Sequence, residues 1–252
     1  MQAHDAIGPP LNIVPDLFWA VFVPYSWLHF VTVGICVLVV AGLAIFARAL
    51  PKIQEEPFRQ ALGIFGLVYW LSYNVWWNWN GIDFAGGLPL QICDVNGVIA
   101  PLVLLTQQRW LRATLYYWAF ALSTQAFIQP ALQFGPGTLV FYWFWAQHTI
   151  ILAYAVYDLA VLHFRPQWRD LMRCYAVSAI YLAVVVPLNA HLGSDYGFLG
   201  NLPPEQIPPF VAGLGPWPAR AIILVLLCYI ACAIVQLPWS LVRQMTGRRK
   251  PA

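Results

Sequence analysis

Charge is what this chain has least of. Only 9% of its 252 residues are Asp, Glu, Lys or Arg, against roughly 25% in an ordinary soluble domain. At that fraction a water-soluble fold of this length needs about 60 charged residues; this chain has 13 basic and 10 acidic ones. The shortage excludes a soluble enzyme, a disordered chain and a nucleic-acid-binding module. Cysteine is sparse as well. Cys36, Cys93, Cys174, Cys228 and Cys232 show no CxxC or Cys/His ligand spacing, and an odd number does not suggest a disulfide framework. Neither a metal nor any other cofactor is implied. Met1 to Pro10 contains no Lys or Arg, so no cleavable signal is expected. No internal repeat is visible, which leaves one integral membrane domain over 1–252.

What is present is apolar. Hydrophobic residues make up 61% of the chain, including 13 Trp, 12 Tyr and 15 Phe, a composition suited to interfacial belts and a packed aromatic interior. A bilayer is crossed by about 20 apolar residues in a helix. Seven such spans fit, near 27–49, 60–79, 88–105, 111–128, 139–162, 171–190 and 217–241. The fold predicted is all-α, a polytopic seven-transmembrane-helix bundle.

The connectors alternate in charge. Arg48, Lys52 and Arg59 flank the first, Arg109 and Arg112 the third, Arg165, Arg169 and Arg173 the fifth, and Arg243, Arg248, Arg249 and Lys250 the tail. Those are twelve of the thirteen basic residues. Arg220, at the start of the last span, is the exception. The positive-inside rule then puts the N-terminus outside and the C-terminus in the cytoplasm, which requires an odd number of spans. The expected location is the plasma or inner membrane, multi-pass, with membrane lipids as partners. Ile13 to Val23, bracketed by Pro15 and Pro24, is too short to cross and reads as an interfacial segment on the outer surface.

Intramembrane polar side chains mark where function should be sought, since an Asp at the bilayer centre costs about 2.5 to 3.5 kcal/mol on insertion scales. The third span holds the densest set: Gln91, Cys93, Asp94 and Asn96 in a helix begun by Pro89 and interrupted by Pro101. On such a helix Cys93 and Asn96 share a face, with Gln91 and Asp94 on the adjacent one. The fifth span supplies His148, among aromatic residues. At 1.5 Å per residue, Cys93 and His148 lie roughly 8 Å and 14 Å below the outer boundary. His29, Asn74, Asn78, Gln125, Gln129 and Asn189 fall in the same outer layer. Asp158 lies deeper, and pairing with Arg165 or Arg169 at the inner interface is its expected use. Cys36, Cys174, Cys228 and Cys232 read as small packing residues. The connector 191–216, with five prolines, has the composition of a stiff lid or an ordinary linker.

A Cys and a His in a dry site can perform acyl transfer: a thiolate attacks a carbonyl, and an alcohol, amine or water resolves the thioester. In the outer half of a bilayer the natural substrate is an acyl lipid. Asn96, Gln91 or Asn74 would donate to the oxyanion. Two other readings stand beside this one. Asp94, Gln91 and Asn96 could form the solute site of a transporter or substrate-binding protein, or the polar residues could serve only to join the helices of a scaffold.

The string Leu88-Pro89-Leu90-Gln91-Ile92-Cys93-Asp94, with Tyr25-Ser26-Trp27-Leu28-His29, His148 and Leu214-Gly215-Pro216-Trp217-Pro218, resembles the YwaF family of bacterial integral membrane proteins. That resemblance extends to a eukaryotic membrane acyltransferase carrying the same domain, which remodels ether phospholipids, and more remotely to androgen-induced lipid hydrolases. It implies Cys93 as nucleophile and His148 as base. The pattern more often has His at the position of Gln91 and an Asn-Tyr pair where Asp195-Tyr196 stands here. His29 is the candidate to replace that His.

Overall fold

A computed structural model describes residues 17–247, and every secondary-structure element longer than one residue in that range is helical. The reading of Met1 to Pro10, residues 13–16 of the outer segment, and the tail cations Arg248, Arg249 and Lys250 lie outside the described residues. After the short α1 (Leu17–Ala20), α2 (Trp27–Ala49) starts at Ser26, whose hydroxyl accepts the His29 N–H at 3.3 Å, the usual way a free helix N–H is satisfied. It ends before Pro51. Next come α3 (Lys52–Trp77), α4 (Ile92–Thr106) and α5 (Arg109–Tyr117), which runs directly into a π-helical turn, Trp118–Ser123, and then α6 (Gln125–Ile128). α7 (Leu139–Ala160) and α8 (Trp168–Leu192) follow; a reciprocal Gln167–Asp170 capping box opens α8 and left-handed Gly193 closes it. α9 (Pro209–Ala212) and α10 (Ala219–Gly247) complete the described residues.

α7 is the central post, with α2 and α4 along its sides, α3 against α4, and α5 against α8. The core where these meet contains Leu104, Leu115, Tyr117, Trp118, Ile151 and Tyr157, all essentially without exposure. α3 reaches α4 through small residues. A Cβ on Gly66 would stand 3.0 Å from Pro101 Cβ and 2.9 Å from the Tyr154 ring. Pro101 therefore does not interrupt α4, contrary to the sequence expectation: the helix continues through it, with α3 packed close alongside.

Four helices are long and apolar enough to cross a membrane: α2, α7, α8 and Ala219–Arg243 of α10. The sequence reading of seven such spans is corrected on three of them. α3 begins at Lys52 rather than near 60, and Glu55, Glu56 and Arg59 occupy its first turns. α4 begins at Ile92 rather than 88, and its 15 residues reach only about 22 Å at 1.5 Å per residue. The stretch 111–128 is divided by the π-turn, in which the Thr124 N–H reaches back five residues to the Ala119 carbonyl at 3.0 Å. Over the spanning helices large apolar side chains stay outward, such as Leu38 (72% exposed) on α2 and Leu226 (56%) on α10. Patches of that kind suit contact with lipid.

The polar groups gather at two ends of the bundle. At one, Arg112 pairs with Asp158 at 2.8 Å and Arg109 with Asp170 at 2.7 Å, while Arg59 bonds to the Leu104 carbonyl. The partner expected for Asp158, Arg165 or Arg169, is thereby replaced. Arg165 instead donates to the Leu159 and Phe164 carbonyls and lies over Trp239, whereas Arg112 projects from α5 directly beside α7. At the opposite end, residues 17–23 are held by the chain ahead of α7: Val21 bridges to Phe134, and the Phe22 N–H bonds to the Gln133 carbonyl at 3.0 Å. Phe22 is buried. Phe22 anchors this part of the segment expected at the membrane surface to the protein, while Trp19, Val21 and Val23 remain outward.

Candidate functional site

The start of α4 is held from several directions. Gln91 caps the helix with extended backbone, and its side chain bonds to the 193–200 connector. Its carbonyl oxygen accepts the Gly197 N–H at 2.8 Å, and its amide donates to the Asp195 carbonyl at 3.2 Å. Tyr196 extends the clasp: its hydroxyl accepts the Leu88 N–H at 3.0 Å and donates to the Phe84 carbonyl at 2.9 Å. Tyr181 Oη donates to the Leu90 carbonyl at 2.7 Å. Buried Asn189 fixes Tyr196 in turn, bonding both its N–H and its carbonyl. The residues that depart from the resembled pattern, Gln91 and Asp195-Tyr196, are therefore in contact with one another. The connector is an ordered strap carrying short 3-10 turns at Tyr196–Phe198 and Pro204–Gln206.

In the first turn of α4, second in the helix, lies the half-buried Cys93. Its thiol is 3.8 Å from Ser123 Oγ, and Asn96 Nδ2 donates to the same hydroxyl at 3.3 Å. Asn96 is fully buried, and its Oδ1 has no hydrogen-bond partner. An orphaned polar atom in such a place costs about 1 to 3 kcal/mol, so it is a position at which a ligand group gains on binding. The next residue faces α7: Gln147 Nε2 donates to Asp94 Oδ1 at 2.9 Å and to the Cys93 carbonyl at 3.1 Å. Gly97 makes this approach possible, because a Cβ there would stand 3.2 Å from Gln147 Nε2. Trp70 of α3 bonds to the Asp94 carbonyl at 2.9 Å.

His148 is one residue beyond Gln147 and faces a different neighbour. Its Nδ1 lies 2.7 Å from the Phe144 carbonyl, and its ring stands 4.4 Å from the Phe144 ring and edge-on to Phe127 at 6.3 Å. A carbonyl only accepts, so in the neutral ring Nδ1 carries the proton and Nε2 the lone pair. Phe127 is one helical turn beyond Ser123, the residue the Cys93 thiol touches. Thiol and imidazole thus flank the same π-turn and α6 segment without a hydrogen bond to each other. His29 is tied at both nitrogens: Nδ1 accepts the Tyr25 N–H at 3.0 Å, and Nε2 donates to the Phe127 carbonyl at 3.1 Å. It is not positioned as a substitute for a helix-start His at position 91.

The outer polar layer therefore resolves into separate groups. Cys93, Asp94 and Asn96 come together, joined by Ser123 and Gln147, which sequence reasoning did not single out. The signal for both was modest, one polar residue each in an apolar stretch. Asn74 binds its own helix at the Trp70 carbonyl and receives Asn78, which also reaches Gly87. Gln125 turns back to the Ala121 carbonyl. Among the described residues no group of three His, Cys, Asp or Glu side chains is arranged to hold a metal ion. Outside the spanning helices, burial pushes the Asp195 carboxyl up to about 6, against the opposing pull of the Gly200 N–H and Arg220.

The model of the TMEM164 family matches residues 24–236. That segment contains every motif on which the YwaF resemblance rested, and the match corrects it: the helix-start string, His148 and the Leu214–Pro218 run lie within the stretch matched by a different family. An uncharacterized protein of Treponema pallidum (strain Nichols) is 26% identical over 186 residues, 73% of this chain and 77% of that protein. No solved structure matches.

Proposed function

Given that the chain belongs to the TMEM164 family, we propose that it is a membrane-embedded lipid acyltransferase or acyl hydrolase with Cys93 as nucleophile and His148 as base. The observation that carries this reading is the Cys93 thiol set against the Ser123 hydroxyl, beside an Asn96 oxygen that is buried and without a partner. In the reaction, His148 Nε2 takes the thiol proton as sulfur adds to the ester carbonyl. The ester C–O bond breaks, and the leaving alcohol of the lysolipid receives that proton. An acceptor hydroxyl or water then adds to the thioester carbonyl, gives its proton to His148, and expels the thiolate, which is reprotonated. The Ser123 hydroxyl, 3.8 Å from the thiol and held by Asn96 Nδ2, is the side-chain donor beside the sulfur for the oxyanion, and each well-aimed donor is worth about 3 to 4 kcal/mol. A resting site often lacks the close catalytic hydrogen bond, which tightens when substrate binds; here the ester would join thiol and imidazole.

We further propose that the chain lies in the plasma or inner membrane with the N-terminus outside and the C-terminus cytoplasmic, which requires α3, α4 and the α5–α6 segment to cross together with the four long apolar helices. The clustering of Arg59, Arg109, Arg112 and Arg165 at one end of the bundle supports that orientation. A transporter built on Asp94 is the competing view, and it draws on the Asp94–Gln147 contact. Lipid profiling of cells expressing the protein, combined with labelling by an acyl-phosphonate probe, decides between them. Cys93→Ala and His148→Ala should each abolish remodelling, and Cys93 should carry the label. Full remodelling by Cys93→Ala refutes the enzyme reading; solute uptake lost only in Asp94→Asn establishes the transporter.

A further inference from the structure

We propose that the cleft between α8 and α10 binds one acyl chain of a membrane phospholipid and selects which chain reaches Cys93. The second half of the statement rests on the enzyme reading; the first does not. The cleft is open along one side, and the space of about 460 Å³ between its walls extends past the protein surface. Its back wall is formed by Ile92, Trp118 and Leu122, and its flanks by residues such as Leu182 of α8 and Leu224 and Cys228 of α10. Ile92 immediately precedes Cys93, and Leu122 immediately precedes Ser123. The back of the cleft is therefore one residue away, on both strands of contact, from the thiol and hydroxyl that touch at 3.8 Å.

The lining disfavours a polar occupant. Trp118 Nε1 already donates to Ser178 Oγ at 3.0 Å, and Tyr181 Oη to the Leu90 carbonyl at 2.7 Å. Tyr175 and Tyr229 exchange hydroxyl-to-carbonyl bonds across the two helices at 2.7 and 3.4 Å. A headgroup or an ordered water needs several free partners, and the Trp118, Tyr175, Tyr181 and Tyr229 donors are already engaged within the protein. A hydrocarbon chain needs none. α8 and α10 are both long and apolar enough to span a membrane, and only 17% and 11% of their apolar windows are buried within the protein, so what surrounds the cleft mouth is lipid. The flank from Leu224 to Cys232 runs about 12 Å along α10 at 1.5 Å per residue, close to the roughly 15 Å of one leaflet of a 30 Å hydrocarbon core. Gly197 and Leu199 of the strap line one end. A side chain at Gly197 would meet Tyr181 Oη at 2.8 Å, so this close cap requires glycine.

The experiment uses full-length protein in phosphatidylcholine bilayers containing a phosphatidylcholine with a diazirine on one acyl chain, irradiated and mapped by peptide mass spectrometry. Cleft positions Leu182, Leu224 and Cys228 should be labelled at least as strongly as outward Leu226 and Ile230. Cys228→Trp should lower labelling at Leu182 and Leu224 at least fivefold and leave Ile230 unchanged. Labelling confined to Leu226 and Ile230 in the unaltered protein overturns the site, a result that does not depend on whether the Trp variant folds. Labelling that persists in Cys93→Ala keeps the chain site even if the catalytic reading fails; loss of remodelling in Cys93→Ala without cleft labelling leaves the catalytic reading and removes the site. With both in place, Cys228→Trp should shift the transferred chains toward shorter ones, and an unchanged chain distribution refutes selection by the cleft.

Discussion

Replacing Asn189 tests whether the strap over the start of α4 contributes to stability. Asn189 is 3% exposed, and its amide makes three bonds: Nδ2 donates to the Tyr196 carbonyl at 2.8 Å, while Oδ1 accepts the Ser194 hydroxyl at 2.8 Å and the Tyr196 N–H at 2.9 Å. A typical net contribution is about 1 kcal/mol per bond, so Asn189→Ala should cost about 3 kcal/mol. Ser194→Ala removes one of the three and should cost about 1 kcal/mol. For a chain of this size each kcal/mol moves the midpoint by roughly 2 to 4 °C, which places the expected falls near 6 to 12 °C and 2 to 4 °C. Thermal unfolding of the detergent-solubilised protein, followed by tryptophan fluorescence, measures both. Proteolysis supplies the local readout, because release of Tyr196 frees the Leu88 N–H and the Phe84 carbonyl and should expose the 193–200 strap to cleavage before global unfolding. A midpoint for Asn189→Ala within 2 °C of the parent, with unchanged proteolysis, would refute the assignment of the strap to these bonds.

Two further outcomes follow from the buried charges. Arg112→Ala leaves Asp158, 2% exposed, without its ion-pair partner; removing one member of such a pair typically costs about 3 to 5 kcal/mol, so the yield of monodisperse protein on size exclusion should collapse. The paired change Arg112→Met with Asp158→Leu should restore most of it, and failure to do so would mean the pair is needed for more than charge balance. Asp195 sets a pH dependence: its folded carboxyl titrates at about 6 and an unfolded one near 3.9, so the folded state holds the proton more tightly. Its contribution therefore raises stability as pH falls from about 6 to about 4 and is constant outside that window. Melting midpoints at pH 4.5 and 7.5 should differ less in Asp195→Asn than in the parent; an identical difference would assign the slope to other groups.

Hydropathy located the elements whose environment is simple. The expected span 27–49 coincides with α2, 139–162 covers α7 and runs two residues past its end, and those at 171–190 and 217–241 end within several residues of α8 and α10. It failed where side chains from distant parts of the chain decide the backbone. Leu88 and Leu90 continue the apolar run into α4, yet Tyr196 and Tyr181 hold their backbone outside the helix. The π-turn has no compositional mark, since Trp118–Ser123 reads like the α-helix before it. Within the site, Cys93, Asp94 and Asn96 were conspicuous as polar residues in an apolar span. Ser123 and Gln147 acquire their meaning from contacts 30 and 54 residues away, which no local pattern encodes.

The π-turn has a consequence for how sequences like this one can vary. Trp118, at its start, bonds to Ser178 on α8, and Ser123, at its end, meets Cys93 and Asn96 on α4. The spacing between those two residues is set by a turn that holds one residue more than an α-helical turn does. Loss of a single residue between them would let the helix regularise and rotate one contact out of reach while both side chains stayed in the sequence. The count of residues from Trp118 to Ser123 is thus as much a part of the thiol environment as their identity, and a relative that keeps the serine but shortens the interval would not present the same surface to its cysteine.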